Sequence, residues 1–290
     1  MTLCSAHLPG EIIVGTAPVE QAYLILELAK PWPSKIKAQG AIEAFRPLLK
    51  GGAAKDVKLL ATPRIDWLPL CQRPWALLVR WSRGRALVQE LDATPTAVQA
   101  ALEKPAEGEP MPLYLVCTHG SRDRCCGTLG FPVYRSLLEK SARKTLQVSH
   151  LGGHRYAPVV LALPEWRFFG HMDAESCLSM DRTLAEGTPY LTGYRGLGRL
   201  PEEVQPVEAE LWSRFGSSLE RVRPRRISDE EVTVEAAFTD GSRRMFRAQM
   251  GSHQLSGYKS CSDADEGKKP KTITLPKLVR LEELASSEVR

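Results

Sequence analysis

The sequence predicts an α+β or α/β fold: a mixed sheet with flanking helices, made twice in succession. Three observations lead there. Short apolar runs of strand length alternate with helix-length amphipathic segments, and the same β-α-β-β-β-α order occurs on either side of a Pro-, Glu- and Gly-rich linker from Pro105 to Pro112. Beyond Gly216 the character changes to long strand-like segments around an Asp-Gly turn signal.

In the first series, Ala22 to Leu28 reads as a buried strand, Lys35 to Lys50 as an amphipathic helix and Val57 to Ala61 as a strand. Trp75 to Trp81 and Ala86 to Leu91 follow as strands. Thr94 to Glu103 reads as a helix, with Thr94 as its cap and Pro95 at its first position, where a missing N–H costs nothing. In the second series, Leu113 to Cys117 is a strand, Leu129 to Arg143 a helix, and Thr145 to Ser149, Pro158 to Leu163 and Trp166 to His171 are strands before a helix over Asp173 to Glu186. The halves share element order and no letter-by-letter repeat. A β-α-β unit followed by β-β-α is the order of the thioredoxin fold. The expected organisation is a degenerate thioredoxin-like half at 1–108 without ligands of its own, a thioredoxin-like domain at 109–204 that carries the chemistry, and a C-terminal region at 205–290. That last region should hold a helix, a β-hairpin from Val232 to Asp240 and Ser242 to Met250 around Asp240-Gly241, and a mobile polar tail from Ser262 to Lys271.

Composition narrows the function classes. The chain is ordinary globular material, 43% hydrophobic and 25% charged, with enough length for a real core. Seven irregularly spaced cysteines argue for reduced thiols or metal ligands over a secreted disulfide framework, and so for a cytoplasmic protein. The opening MTLCSAHLPGEIIVG has neither the basic and apolar regions of a signal peptide nor the character of a transit peptide. No apolar stretch approaches the roughly 20 residues that span a bilayer. The net charge of +5 gathers at Arg221 to Arg226 and Lys268 to Lys277 without interleaved aromatics, which speaks for solvated surface and against nucleic acid.

The chemistry concentrates in two short segments. CTHGSRDRCCGTLG places Cys117 at a strand end and Cys126 eight intervening residues later, after a polar loop, with Gly127 next to it; SHLGGH places His150 and His154 at the end of another strand, around a glycine pair that lets the chain turn back. Two thiolates and two imidazoles suit zinc, or a [2Fe-2S] cluster whose irons are divided between a Cys pair and a His pair. The compact Cys-x2-4-Cys knuckle of zinc fingers is absent, yet spacing alone leaves both metals open.

The pieces LVCTHGSRDRCCG, HLGGHRYAPVVLALP and FFGHMD, covering most of residues 112–175, resemble the sucrase/ferredoxin-like family, whose pattern is Cys, eight residues, Cys-Gly, then His-x-Gly-Gly-His. The resemblance implies a thioredoxin-like ferredoxin with a [2Fe-2S] cluster bound by Cys117, Cys126, His150 and His154, unlike Rieske proteins in fold. No carboxylate pair supports the glycosidase activity in the family's name.

Several neighbours stand close enough in sequence to surround the site. Cys125 competes with Cys126 as the second thiolate, or is a reactive or buried thiol; Gly127 favours Cys126. His119 and His171 read as local hydrogen-bonding residues rather than ligands, while Arg122, Arg124 and Arg155, with Asp123 between the first two, are either a solvated loop or donors toward a cluster or an acidic partner. Gly193, Gly196 and Gly198 do not form a phosphate loop, because Pro201 interrupts. Cys4, Cys71, Cys177 and Cys261 look scattered and outside the ligand set. The favoured reading is an electron carrier serving unidentified redox partner proteins, with no substrate of its own. A thiol-disulfide oxidoreductase or redox sensor lacks Cys-x-x-Cys at a helix start; a zinc-stabilised interaction module is the third reading.

Overall fold

A computed structural model describes residues 3–5, 11–50, 56–70 and 74–285. The first sheet is built from β1 (Ala22–Glu27), β2 (Val57–Thr62), β3 (Trp75–Ser82) and β4 (Arg85–Asp92), in the order β2-β1-β3-β4. β1 and β2 run parallel, and the other two pairs are antiparallel. α1 (Arg46–Lys50) lies in the β1–β2 connection and α2 (Pro95–Leu102) follows β4, with the Thr94 side chain accepting from Ala97 N–H as its cap.

The second sheet repeats this plan. β5 (Leu113–Cys117) pairs parallel with β6 (Lys144–Val148) and antiparallel with β7 (Val160–Leu163); β8 (Arg167–Phe169) and β9 (Tyr194–Leu197) extend it to the order β6-β5-β7-β8-β9. α3 (Arg124–Lys140) fills the β5–β6 connection and α4 (Ala174–Ala185) the β8–β9 connection. The first four positions of both sheets therefore have the same connectivity and sense, which is the mixed, thioredoxin-like arrangement expected from element order.

Each sheet has one face in a shared core and one under its own helices. Tyr23 and Ile25 of β1, Leu77 and Val79 of β3, Leu113 and Leu115 of β5 and Leu161 of β7 belong to one buried cluster, where Tyr23 stacks on Trp166 at 5.2 Å. The alternate residues turn outward: Leu24 and Leu26 pack with Ile42, Phe45 and Val98, whereas Tyr114 and Val116 pack with Val133 and Leu137 of α3. Burial on both faces explains why β1 and β5 read as unbroken apolar runs, since period-two alternation appears only where one face meets water.

After α5 (Gln205–Phe215) come β10 (Leu219–Ile227), β11 (Glu231–Phe238), β12 (Arg243–Gly257), α6 (Cys261–Asp265) and β13 (Lys271–Glu283); the four strands form an antiparallel meander.

Three local expectations need correction. Residues 35–50 are not one helix but two 3-10 turns, Ile36–Ala38 and Gly40–Phe45, followed by α1, because Gln39 is extended between the turns. α3 begins at Arg124 rather than Leu129. The expected mobile tail is ordered: Ser260 caps α6, and β13 pairs with β12 along its length. Cys71 lies outside the described residues.

Candidate metal centre

β5 and β6 run parallel and end together, so the residues after Cys117 and after Val148 emerge at the same edge of the sheet. α3 starts there too. Its cap, Asp123, has extended backbone and accepts from Cys125 N–H, which puts Cys125 and Cys126 in the first turn of a 17-residue helix. The thiols thus lie on a helix and not in the preceding polar loop. Gly127 permits the return of the chain against this turn, because a Cβ there would lie 2.8 Å from the Gly120 Cα.

Two groups of donors result. Cys117, Cys126 and His150 have one donor atom each within 4.8 Å of one another; so do Cys4, Asp123, Cys125 and His154. Both groups can hold a metal ion. Cys126 Sγ stands 4.0 Å from His150 Nδ1, and the His150 and His154 rings lie 5.6 Å apart, so the groups adjoin. Cys117, Cys125 and Cys126 are fully buried. The Cys117 thiol is drawn well below the ordinary thiol range, first by a hydrogen bond from Cys126 and then by His150, and Cys126 is pushed up as the donor.

Asp123 is the hub of the second group. Its carboxylate lies 3.1 Å from His154 Nδ1, 3.0 Å from Cys125 Sγ and 3.5 Å from Cys4 Sγ, and accepts from Cys261 N–H at 3.2 Å. Cys4 Sγ in turn stands 3.4 Å from Cys125 Sγ and 3.6 Å from Cys261 Sγ. Cys4 and Cys261, which look scattered in the sequence, are therefore at the site, while Cys177 lies on the buried face of α4.

The remaining neighbours divide clearly. His119 is buried; its Nδ1 accepts from His150 N–H at 3.2 Å and its Nε2 lies 3.0 Å from Pro33 O, so both ring nitrogens are engaged in fixing the backbone, and burial lowers its pKa. Arg122 is exposed, and Arg124 pairs with Asp265 at 2.7 Å. Arg155 lies over Tyr156 and against Gly257. His171 stands 3.5 Å from Glu11 and edge-on to Tyr156.

The His-x-Gly-Gly-His turn is held from below by Arg195. This guanidinium is 1% exposed; it donates to Gly152 O at 3.2 Å, to Thr16 Oγ1 at 3.0 Å and to Thr16 O. Gly153 has φ +71°, and a Cβ there would lie 2.4 Å from Arg195 Nη2, so both conformation and space require glycine. The first half of the chain secures the same turn. Ser149 N–H donates to Ala61 O at 2.8 Å while Ser149 Oγ accepts from Ala61 N–H at 2.9 Å, and Lys58 donates to Leu151 O at 2.7 Å. None of these contacts has a local signal in the sequence; Asp123, an acidic residue just before a helix, is the one that capping rules can find.

Fold and donors together define the class: a thioredoxin-like protein with cysteine and histidine groups that can hold a metal ion. The chain belongs to the sucrase/ferredoxin-like family, whose sequence profile matches residues 13–196. It is also 32% identical over 119 residues to the protein named Altered inheritance of mitochondria protein 32 of Meyerozyma guilliermondii, a match covering 37% of this chain and 42% of that protein's length. No solved structure gives a significant match. Among the described residues, no helix is long and apolar enough to cross a membrane.

Proposed function

We propose that the chain is an electron carrier that holds a [2Fe-2S] cluster, with Cys117 and Cys126 on one iron and His150 and His154 on the other. The observation that carries this reading is the convergence of Cys117, Cys126 and His150 at the common end of β5 and β6, with the His154 ring beside His150, in a chain of this family. The donor chemistry fits the group, since the sulfurs of Cys117 and Cys126 stand next to the imidazoles of His150 and His154. Cys125, directed at Asp123 and Cys4, is the less suitable second thiolate.

When bound, such a cluster accepts and releases a single electron. His150 and His154 are neutral where an all-cysteine site would place two more negative charges, so the potential is expected above the roughly −400 mV of plant-type ferredoxins. His154 Nδ1 lies 3.1 Å from the Asp123 carboxylate, and an imidazole that ligates through its other nitrogen would carry its remaining proton at that atom, where added negative charge on a cluster would favour it. The midpoint potential is therefore expected to fall with rising pH over about pH 6 to 9; a flat profile would remove the proton. We assign the chain to the cytoplasm from its free buried thiols; the name of the yeast relative makes mitochondria the alternative that fractionation would test.

The test of the cluster is anaerobic purification followed by iron and sulfide analysis and EPR of the reduced protein. About two irons and two sulfides per chain are expected, with altered g-values in His150→Cys and His154→Cys. A colourless protein, or spectra unchanged in both variants, would overturn the assignment. One observation favours a second reading, a thiol redox sensor: Cys125 and Cys126 do occupy a helix start, where the dipole stabilises a thiolate. Thiol titration against peroxide in the cluster-free protein would separate the two.

A further inference from the structure

Cys4, Asp123, Cys125 and His154 come from three distant stretches of chain, and their donor atoms face one point. Two thiols alone would need nothing beyond a hydrogen bond. A carboxylate and an imidazole nitrogen at the same point complete an S2NO set, the kind that suits a tetrahedral, borderline-soft cation. Around a zinc ion with bonds of about 2.0–2.3 Å, tetrahedral donors stand about 3.3–3.8 Å apart. Here Cys4 Sγ is 3.4 Å from Cys125 Sγ, 3.4 Å from His154 Nδ1 and 3.5 Å from Asp123 Oδ1, while Cys125 Sγ–Asp123 Oδ1 is 3.0 Å and Asp123 Oδ2–His154 Nδ1 is 3.1 Å. The cage is thus tighter than a metal site by about half an ångström at most, as hydrogen-bonded donors should be before an ion spreads them.

The surroundings suit an anionic metal centre. The first turn of α3, with its positive dipole end, carries Cys125 itself. Cys261 N–H donates to Asp123 Oδ2 at 3.2 Å, and Cys4 N–H lies 3.4 Å from Cys261 Sγ, so α6 fixes both a carboxylate and the thiol segment as outer-shell partners do. Cys4, Asp123 and Cys125 are all buried.

We propose that the cluster-free chain binds one zinc ion through Cys4 Sγ, Cys125 Sγ, the Asp123 carboxylate and His154 Nδ1. On binding, each thiol releases one proton to solvent and the His154 proton moves from Nδ1 to Nε2, leaving a centre of net charge −1. The site rests on the proposed electron-carrier function at one residue only: His154 belongs to both ligand sets, so zinc and cluster exclude each other. Zinc then pins the Cys4 segment to α3 and α6 in the chain that has no cluster.

Cobalt(II) is the probe. Full-length protein from iron-depleted medium should bind one cobalt per chain, with thiolate-to-cobalt charge transfer and the intense d–d bands of a tetrahedral site, and zinc should displace it. Cys4→Ser should weaken cobalt binding at least tenfold and diminish the charge-transfer band, while iron-sulfur loading of the same variant stays at the wild-type level. A cobalt spectrum that survives Cys4→Ser but is lost in Cys117→Ser would place the ion in the other group and overturn the proposal. Should Cys4→Ser fail to fold, alkylation of the wild type decides: zinc should protect Cys4 and Cys125 from N-ethylmaleimide, mapped by peptide mass, and protection of Cys117 and Cys126 instead would refute the site. Cys4-dependent cobalt binding in a protein that never takes up iron would uphold the zinc site and remove the cluster.

Discussion

Arg195 brings a positive charge into the interior, and its hydrogen-bond acceptors among the described residues are the neutral oxygens of Thr16 and Gly152. A buried charge without an ion partner is costly; burial accordingly pulls the Arg195 pKa down to about 10, with Tyr156, Tyr23 and Cys117 opposing it. Negative charge added at the Cys117 end of the molecule compensates that cost. If the electron arrives there, Arg195→Met should lower the midpoint potential by roughly 40–80 mV, the worth of about 1–2 kcal/mol for a unit charge at an effective dielectric constant near 20. Arg195→Lys should retain most of the wild-type value; equal potentials in Met and Lys variants would exclude an electrostatic role. Gly153→Ala tests the turn above. Its φ of +71° and the contact with Arg195 both oppose a side chain, so a loss of about 1–3 kcal/mol is expected in urea unfolding, with faster bleaching of any cluster.

At the scale of elements, α3 decides what the site is. Its first two turns were not legible in the sequence, because Gly127, Gly130 and Pro132 are poor helix residues and the apolar period starts only at Leu129. The Asp123 cap and the tertiary contacts of the Cys125 and Cys126 thiols override that propensity. The convergence of Cys117, Cys126 and His150 was legible, because short spacings place Cys117 and Cys126 at the two ends of a single loop and His150 at the neighbouring strand end. What was illegible is long-range, since Cys4 and Cys261 reach Asp123 across 119 and 138 residues. The strands flanking the site were read almost to the residue, since continuous apolar runs are hard to mistake when both faces are buried. Asp123→Ala should therefore cost more than a lost cap. The cap contributes about 1 kcal/mol, and Cys261 N–H and His154 Nδ1 lose an acceptor at about 1–3 kcal/mol for a buried group left unsatisfied. Asp123→Asn should recover the cap portion alone. Denaturant midpoints of the two variants measure the difference, and identical losses would mean that Asp123 only caps the helix.

At the scale of the whole molecule, the first half of the chain is a structural part of the site although the proposed cluster ligands all lie in the second. The two sheets share one buried core through β1, β3, β5 and β7, and their edges are joined where Ser149 exchanges two hydrogen bonds with Ala61, one residue before His150. Lys58, paired with Glu20 at 2.6 Å, reaches the carbonyl of Leu151 in the ligand turn. A core contributed by both sheets cannot be opened from one side without exposing the other, so residues of the two sheets should unfold together. Calorimetry of the full chain is expected to show one transition for this pair of sheets, and hydrogen exchange should protect β1 and β5 to the same free energy. Ser149→Ala probes the joint directly. It strips Ala61 N–H of its acceptor in a buried place, at a cost of about 1–3 kcal/mol, and loosens the strand end that carries His150. The exchange protection of β2 and β6 should fall together, and bound metal should be lost faster. Protection lost in β6 alone would show instead that the two sheets are independent folding units and that the first half merely adjoins the site.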